Sequence, residues 1–195
     1  MKLIYIDKNF GISREAEPVI FLKPKTSLIL SRFPFFYPDF SSDIRAHVEV
    51  VLKIVKLGKN IQVKFAQQYY NSAGISIRFY AHDLLEDCKN NVLPWEKAVA
   101  FDGSTAISGF SHVDTFIKEG GKYCLSLNHL KVQEFSLDKM IYSFDQIISQ
   151  VSKYFTLTTG DMLFTGISEK AVPVKINDVL EAGMNGMQML SCKIK

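Results

Sequence analysis

Two alternating stretches constrain this chain more than any other feature: residues 47–57 and residues 75–80. Successive side chains on a strand point to opposite faces, so residues two apart share one. In the first stretch Glu49 and Val51 share a face. In the second, Ile75, Ile77 and Phe79 take one face, and Ser76, Arg78 and Tyr80 take the other. Strands of this length commit the chain to a sheet.

The remaining elements fit around that sheet. Residues 3–6 and 19–22 read as short strands, the second stopped at Lys23-Pro24 because proline cannot donate to a ladder. The aromatic, proline-broken segment 31–46 reads as a loop folded onto the core; its functional alternative is a cover over a pocket or a subunit contact. Residues 61–70 carry helical spacing and stop at Asn71-Ser72-Ala73-Gly74. Short helices are expected over 83–89 and from Leu93-Pro94-Trp95-Glu96. Residues 123–127 and 132–135 pair as a hairpin around Asn128-His129. Phe144, Ile147, Ile148 and Val151, at i, i+3, i+4 and i+7, mark the strongest helix. Thr158-Thr159-Gly160-Asp161 turns into a strand at Met162, and Asn185-Gly186 signals a second hairpin. The sum is strand-rich α+β.

Composition narrows the function classes. With 195 residues, 47% hydrophobic and 22% charged, the chain suits one domain over 1–195 with a real core. A net charge of +3 without a Lys/Arg run argues against nucleic acid, and Lys23-Pro24-Lys25 makes no basic stripe. No window approaches the roughly 20 apolar residues of a spanning helix. The apolar start is too short for a signal peptide. Cys88, Cys124 and Cys192 are widely spaced, which fits idle thiols in a reducing, cytoplasmic compartment.

Six ordered motifs then carry a resemblance. Phe21-Leu22-Lys23-Pro24 resembles F-x-K-P, and His47-Val48-Glu49-Val50-Val51-Leu52 resembles H-x-E-x-E-L. Ala81-His82-Asp83-Leu84 is similar to A-R-D-[LV]. The run from Leu93-Pro94-Trp95 to Phe101-Asp102 resembles P-W-x-x-A-K-x-F-D. Thr159-Gly160-Asp161-Met162-Leu163-Phe164-Thr165-Gly166 resembles P-G-D-[VI]-[IL]-x-T-G, and the run from Val174 to Glu181 resembles V-x-x-G-D-x-[VL]-x. Together they resemble the fumarylacetoacetate hydrolase family, with its acylpyruvase, oxaloacetate decarboxylase and hydroxyheptadienedioate isomerase branches. The resemblance implies a mixed β-roll with flanking helices, usually a homodimer.

It also implies a divalent metal, Mg²⁺ or Mn²⁺, held by both glutamates of E-x-E and by an aspartate on the next long strand, where it polarises a keto or enol oxygen. In this chain Glu49 keeps the first ligand position. Val51 takes the second and has no donor atom. Arg78 takes the third, and an arginine has no acceptor. The family lysine is Val99, the arginine before Asp83 is His82, and Lys97 lies two positions off on a helix. The segment Thr165-Gly166-Ile167-Ser168-Glu169-Lys170 departs from T-G-T-P-x-G. Residues 1–20 read as a shortened lid, with Ser13 where the branch keeps a catalytic His and Glu15 or Glu17 near the acid. Positions that shape the fold survive, such as Pro24, Pro94, Trp95, Gly160, Asp161 and Asp178.

These departures lead to three expectations. The first is a catalytically inactive, homodimeric member without a metal cofactor, kept as a binding protein for a small anionic metabolite or partner. The alternative is a divergent hydrolase, decarboxylase or isomerase of small keto or enol diacids. A third is a metal-free anion binder using Arg78, Lys23 and Lys97. The pocket residues expected are Glu49, Arg78, Lys23 and His82, with Arg78 standing in electrostatically for the metal and pairing with Glu49. His47, Asp102 and Asp161 read as structural.

Overall fold

A computed structural model describes residues 1–10, 17–30, 33–117, 121–167 and 171–195. Its strands are β1 (Leu3–Asp7), β2 (Val19–Lys23), β3 (Leu28–Leu30), β4 (Ile44–Ile54), β5 (Tyr70–Ala81), β6 (Thr105–Ile107), β7 (Ser111–His112), β8 (Lys122–Leu127), β9 (Leu130–Ser136), β10 (Met162–Phe164), β11 (Val172–Pro173), β12 (Val179–Met184) and β13 (Met187–Lys193). The α-helices among the described residues are α1 (His82–Asn90), α2 (Glu96–Val99), α3 (Val113–Ile117) and α4 (Phe144–Tyr154). The larger sheet runs β2-β1-β10-β4-β5-β6-β3, with β11 on β4 and β7 on β5; the smaller runs β13-β12-β8-β9. The β1–β10 and β3–β6 pairs are parallel and the rest antiparallel, so the larger sheet is mixed. This is the strand-rich α+β roll with flanking helices that the sequence implies.

The two long strands form the spine. β4 and β5 pair from Ile44↔Ala81 through His47↔Arg78 and Glu49↔Ser76 to Val51↔Gly74 and beyond. Asn71-Ser72-Ala73-Gly74, expected as a stop, lies inside β5, and the segment before it is a 3-10 helix over Val63–Tyr69. Gly74 serves close packing here rather than a turn. A Cβ there would meet Gly109 O at 3.0 Å, Ser108 Oγ at 3.1 Å and Val51 Cγ1 at 3.5 Å.

Register sorts the side chains into two faces. Ile4, Ile6, Val48, Val50, Leu52, Ile75, Ile77 and Phe79 enter the main core. There they meet Leu125, Leu180, Ala182 and Leu190 of the smaller sheet and Ile147, Ile148 and Val151 of α4. Full burial of each such side chain stabilises by about 1.5–3 kcal/mol. The opposite face carries Leu3, Tyr5, Val51, Ile107, Met162 and Phe164 as a second, small apolar cluster, with the charged residues beside it.

That second face is concave. In sheet order β2 and β6 are separated by four strands, yet Lys23 Nζ donates to Thr105 Oγ1 at 3.2 Å and to Ser104 Oγ at 3.1 Å. Tyr5 Oη and Thr105 Oγ1 lie 2.7 Å apart across the same hollow. The sheet therefore curls into a half-barrel.

Of the aromatic segment, Phe35 is buried and stacks on Phe79 with ring centroids 4.0 Å apart, whereas Phe33, Phe36 and Phe40 are exposed; residues 31 and 32 lie outside the described residues. Of the expected lid, residues 3–7 form β1 in the sheet, and residues 11–16, with Ser13 and Glu15, lie outside the described residues. Among the described residues no helix is long and apolar enough to cross a membrane.

Candidate active site

The concave face gathers charges from strands distant in sequence. Arg78 from β5 is buried, and its Nη2 donates to Asp7 Oδ1 at 2.9 Å and to Glu49 Oε2 at 3.4 Å. Arg78 Nε lies 3.2 Å from Glu49 Oε1 as an ion pair, off the line of a hydrogen bond. The pairing expected of Glu49 and Arg78 is thus present, with Asp7 at the end of β1 as a second acceptor. The guanidinium carbon sits 5.2 Å from the Tyr5 ring centroid and 5.6 Å from that of Phe21. Lys23 Nζ lies 4.7 Å from the Tyr5 centroid.

Burial governs the electrostatics. It pushes the Glu49 carboxyl up from 4.5 to about 7, and Asp7 adds to the rise, while Arg78, Lys23 and the Gly166 N–H oppose it. Burial would lower Arg78, but Asp7 and Glu49 more than offset that, so the guanidinium keeps its charge. Burial and the Arg78 charge hold the Lys23 amine well below the ordinary lysine range. Removing charges from water is costly unless they are paired, and Arg78 with two carboxylates meets that condition.

Beside the cluster opens a cleft of about 370 Å³. Arg78, His47 and Asp7 line its charged side; Phe21, Trp95, Val99 and Leu85 line its apolar side. His47 sits directly across the ladder from Arg78, with its ring 5.5 Å from that of Tyr80 and nearly parallel to it. Trp95, leading into α2, meets Phe21 edge-on at 5.0 Å. Trp95 of the Pro94-Trp95 motif therefore supplies part of the cleft wall.

The donor set does not fit a divalent cation. Val51 packs with Leu3, Tyr5, Ile107, Met162 and Phe164, and Arg78 fills the space between the two carboxylates that a metal would need. A divalent ion about 4 Å from the guanidinium would meet roughly 8 kcal/mol of repulsion at an effective dielectric near 20. Among the described residues no three His, Cys, Asp or Glu side chains cluster as metal ligands.

Other expected site residues divide. Lys23 faces the hollow but is not part of the cleft lining. His82 is not among the lining residues; it opens α1, with its ring edge-on to Tyr80 at 6.0 Å. The helix expected over 83–89 is present as α1 and begins one residue earlier, so that His82 belongs to it as well. Asp83 instead accepts from Ser41 Oγ at 2.6 Å and from the Ser42 N–H at 2.8 Å, anchoring the loop before β4. Lys97 is exposed on α2 and Val99 lines the cleft. Glu17 is exposed away from the cleft, and Ser168, Glu169 and Lys170 lie outside the described residues. Asp161 caps its turn as expected, and Asp102 sits in one. Sequence reasoning missed Asp7, Tyr80 and Trp95 as site residues. For Tyr80 the signal was its shared parity with Arg78; for Asp7, nothing local pointed across the sheet.

The fold and site define a class: a strand-rich α+β roll that holds a buried ionic cluster and an open cleft on its concave face. The profile described as fumarylacetoacetate (FAA) hydrolase C-terminal matches residues 8–195, and the chain belongs to the fumarylacetoacetate hydrolase family. It is 33% identical over 181 residues to the Mus musculus protein named oxaloacetate tautomerase FAHD1, mitochondrial, covering 92% of this chain and 82% of that protein. It is 29% identical to the Escherichia coli oxaloacetate tautomerase YcgM, covering 92% and 83%. The crystal structure of a fumarylacetoacetate hydrolase family protein from Yersinia pestis CO92 superposes with a TM-score of 0.90 at 30% identity, covering 100% of this chain and 92% of that one. The fold is shared with a fumarylpyruvate hydrolase from Pseudomonas aeruginosa, solved with Mn²⁺ and pyruvate, at a TM-score of 0.89 and 22% identity, covering 100% and 89%. These relatives carry enzyme names, which supports the expectation of a divergent enzyme over that of an inactive member.

Proposed function

We propose that this chain is a metal-independent keto–enol isomerase of small 2-oxo carboxylates, in which the Arg78 guanidinium takes the electrophilic role. The observation that carries this reading is the buried Arg78, held by Glu49 and Asp7 and lining the cleft. Among the described residues no hydrogen bond engages its Nη1, so that nitrogen can donate to a substrate oxygen. The tautomerase names of relatives at about 30% identity support the reaction class.

The chemistry balances without a cofactor. A proton leaves the substrate carbon next to the carbonyl and passes to His47, beside Arg78 in the cleft. The C–H electron pair becomes the carbon–carbon double bond, and the carbonyl electrons move onto oxygen. Arg78 stabilises the resulting enolate until the oxygen takes that proton back from His47, which returns the ring to its neutral form. Decay of enol absorbance in the presence of EDTA is the test. Turnover is expected to persist under chelation, to be lost in Arg78→Met and to fall about 10²–10⁴-fold in His47→Gln. No turnover and no ligand-induced heat with pyruvate or oxaloacetate would overturn the reading.

A second reading, a binding protein for the same anions without turnover, draws on Val51, Val99 and the unfit metal site. Its signature is saturable heat with no enol decay. We also propose a homodimer in a reducing, cytoplasmic compartment. Support comes from the exposed Phe36 and Phe40 and from Cys88 and Cys192 as buried free thiols. Light scattering reads the mass directly, and a monomer would refute the dimer.

A further inference from the structure

We propose that the cleft selects 2-oxo acids with a single carboxylate and a flat apolar substituent, arylpyruvates in chemical class. Their oxo-acid end would meet Arg78 and their ring would lie against Phe21 and Trp95. The inference rests on the Arg78-centred reading above and goes beyond it by naming what the rest of the cleft accepts.

The argument starts from how charge is distributed around the cleft. Its cations are Arg78 beside the ionic cluster and Lys8 and Lys89, both exposed. Lys89 is already paired with Glu86 at 2.8 Å. Away from Arg78 the wall is apolar: Phe21, Trp95, Val19, Val99 and Leu85. A diacid whose first carboxylate meets Arg78 would press its second against this wall, where the lining offers it only the exposed Lys8 and the already paired Lys89. Asp7, on the charged side, would repel that carboxylate further.

A ring meets the opposite conditions. Phe21 and Trp95 are edge-on at 5.0 Å with planes 60° apart, which gives a corner where a third aromatic ring can contact one face and one edge. Both side chains are partly exposed, so apolar surface remains there for a ligand to cover. Val99 contributes to the same wall, and it stands at the position where the family motif has a lysine. The chain thus has an apolar contact where a cation would have favoured a second carboxylate.

Calorimetry on the full chain with phenylpyruvate, pyruvate and oxaloacetate tests the inference. Phenylpyruvate is expected to bind at least tenfold tighter than either of the others. Trp95→Ala should shrink the margin over pyruvate to less than twofold. Val99→Lys, with its folding checked by circular dichroism, should move the preference toward oxaloacetate. If oxaloacetate binds tightest to the wild type and Trp95→Ala changes no ratio, the aryl preference is wrong while the Arg78 site stands. If none of the three ligands binds, or if Arg78→Met binds them as the wild type does, the Arg78 reading itself fails.

Discussion

Arg78 shows how one side chain can redefine a site without disturbing its scaffold. Its backbone keeps the register of β5 opposite His47, and the guanidinium bridges two carboxylates. Removing it leaves Glu49 and Asp7 without their shared ion-pair partner. Breaking a buried pair in this way typically costs about 3–5 kcal/mol. The converse experiment restores ligands. In a Val51→Glu/Arg78→Asp variant, Glu49 and the two new carboxylates occupy the three family positions. Mn²⁺ is expected to raise its melting temperature and EDTA to reverse the rise. A hundredfold excess over Kd corresponds to about 2.7 kcal/mol. The wild type should show no such shift, and a saturable one at sub-millimolar Mn²⁺ would count against the guanidinium as the metal's replacement. The Glu49–Arg78 pair was legible because the family resemblance put both residues at ligand positions of one site and a buried carboxylate needs a cation. Asp7 was not, because strand parity says which face a side chain takes and not which strand lies across a curled sheet.

Helix and turn elements follow local chemistry closely, and their predictions are correspondingly local. α4 was legible because its apolar stripe and its start signal agree. Ser143 Oγ accepts from the Gln146 N–H while the Gln146 side chain accepts from the Ser143 N–H, a capping box. Ser143→Ala is expected to cost about 1 kcal/mol in denaturant unfolding, with no change in the cleft. The turn before β10 depends on Asp161, which accepts from the N–H groups of Lys2 and Thr158 at 2.7 and 2.8 Å and pairs with Lys2 Nζ at 2.6 Å. Burial would raise this carboxyl, but the Lys2 and Thr158 contacts hold it below its ordinary 3.8. Its stabilising contribution is therefore complete above that ordinary value and is lost as pH falls through the lowered native one. Asp161→Asn should flatten the acid limb of a stability–pH profile; an unchanged limb would show that other carboxylates set it. The start of β5 was illegible for a related reason. Asn71-Ser72-Ala73-Gly74 has turn composition, but Gly74 is there to let Val51 and Gly109 approach, a tertiary demand that local propensity does not encode.

At the scale of the whole molecule, the class of fold was legible from alternation, while the closure of the sheet was not. Lys23 belongs to that closure, reaching from β2 to Ser104 and to Thr105 of β6. The same burial that lets it bridge the hollow makes its charge unfavourable, with Arg78 adding repulsion. Because the native amine titrates below the ordinary 10.5, the unfolded chain binds a proton that the folded chain has already released over that window. Stability from this group therefore rises with pH from the lowered native value up to about the ordinary one. Below the window the folded state carries the full penalty of a buried ammonium. Lys23→Met removes the penalty and also the three hydrogen bonds to Ser104 and Thr105. Those bonds are individually worth about 0.5–1.5 kcal/mol net, and Met keeps most of the packing on Tyr5. The variant is thus expected to gain most relative to the wild type below that window, where the folded chain still carries the buried ammonium. That relative gain should shrink steadily as pH approaches 10. Chemical denaturation across pH 6–10 would read the difference, and a gap independent of pH would mean that Lys23 acts through its hydrogen bonds alone.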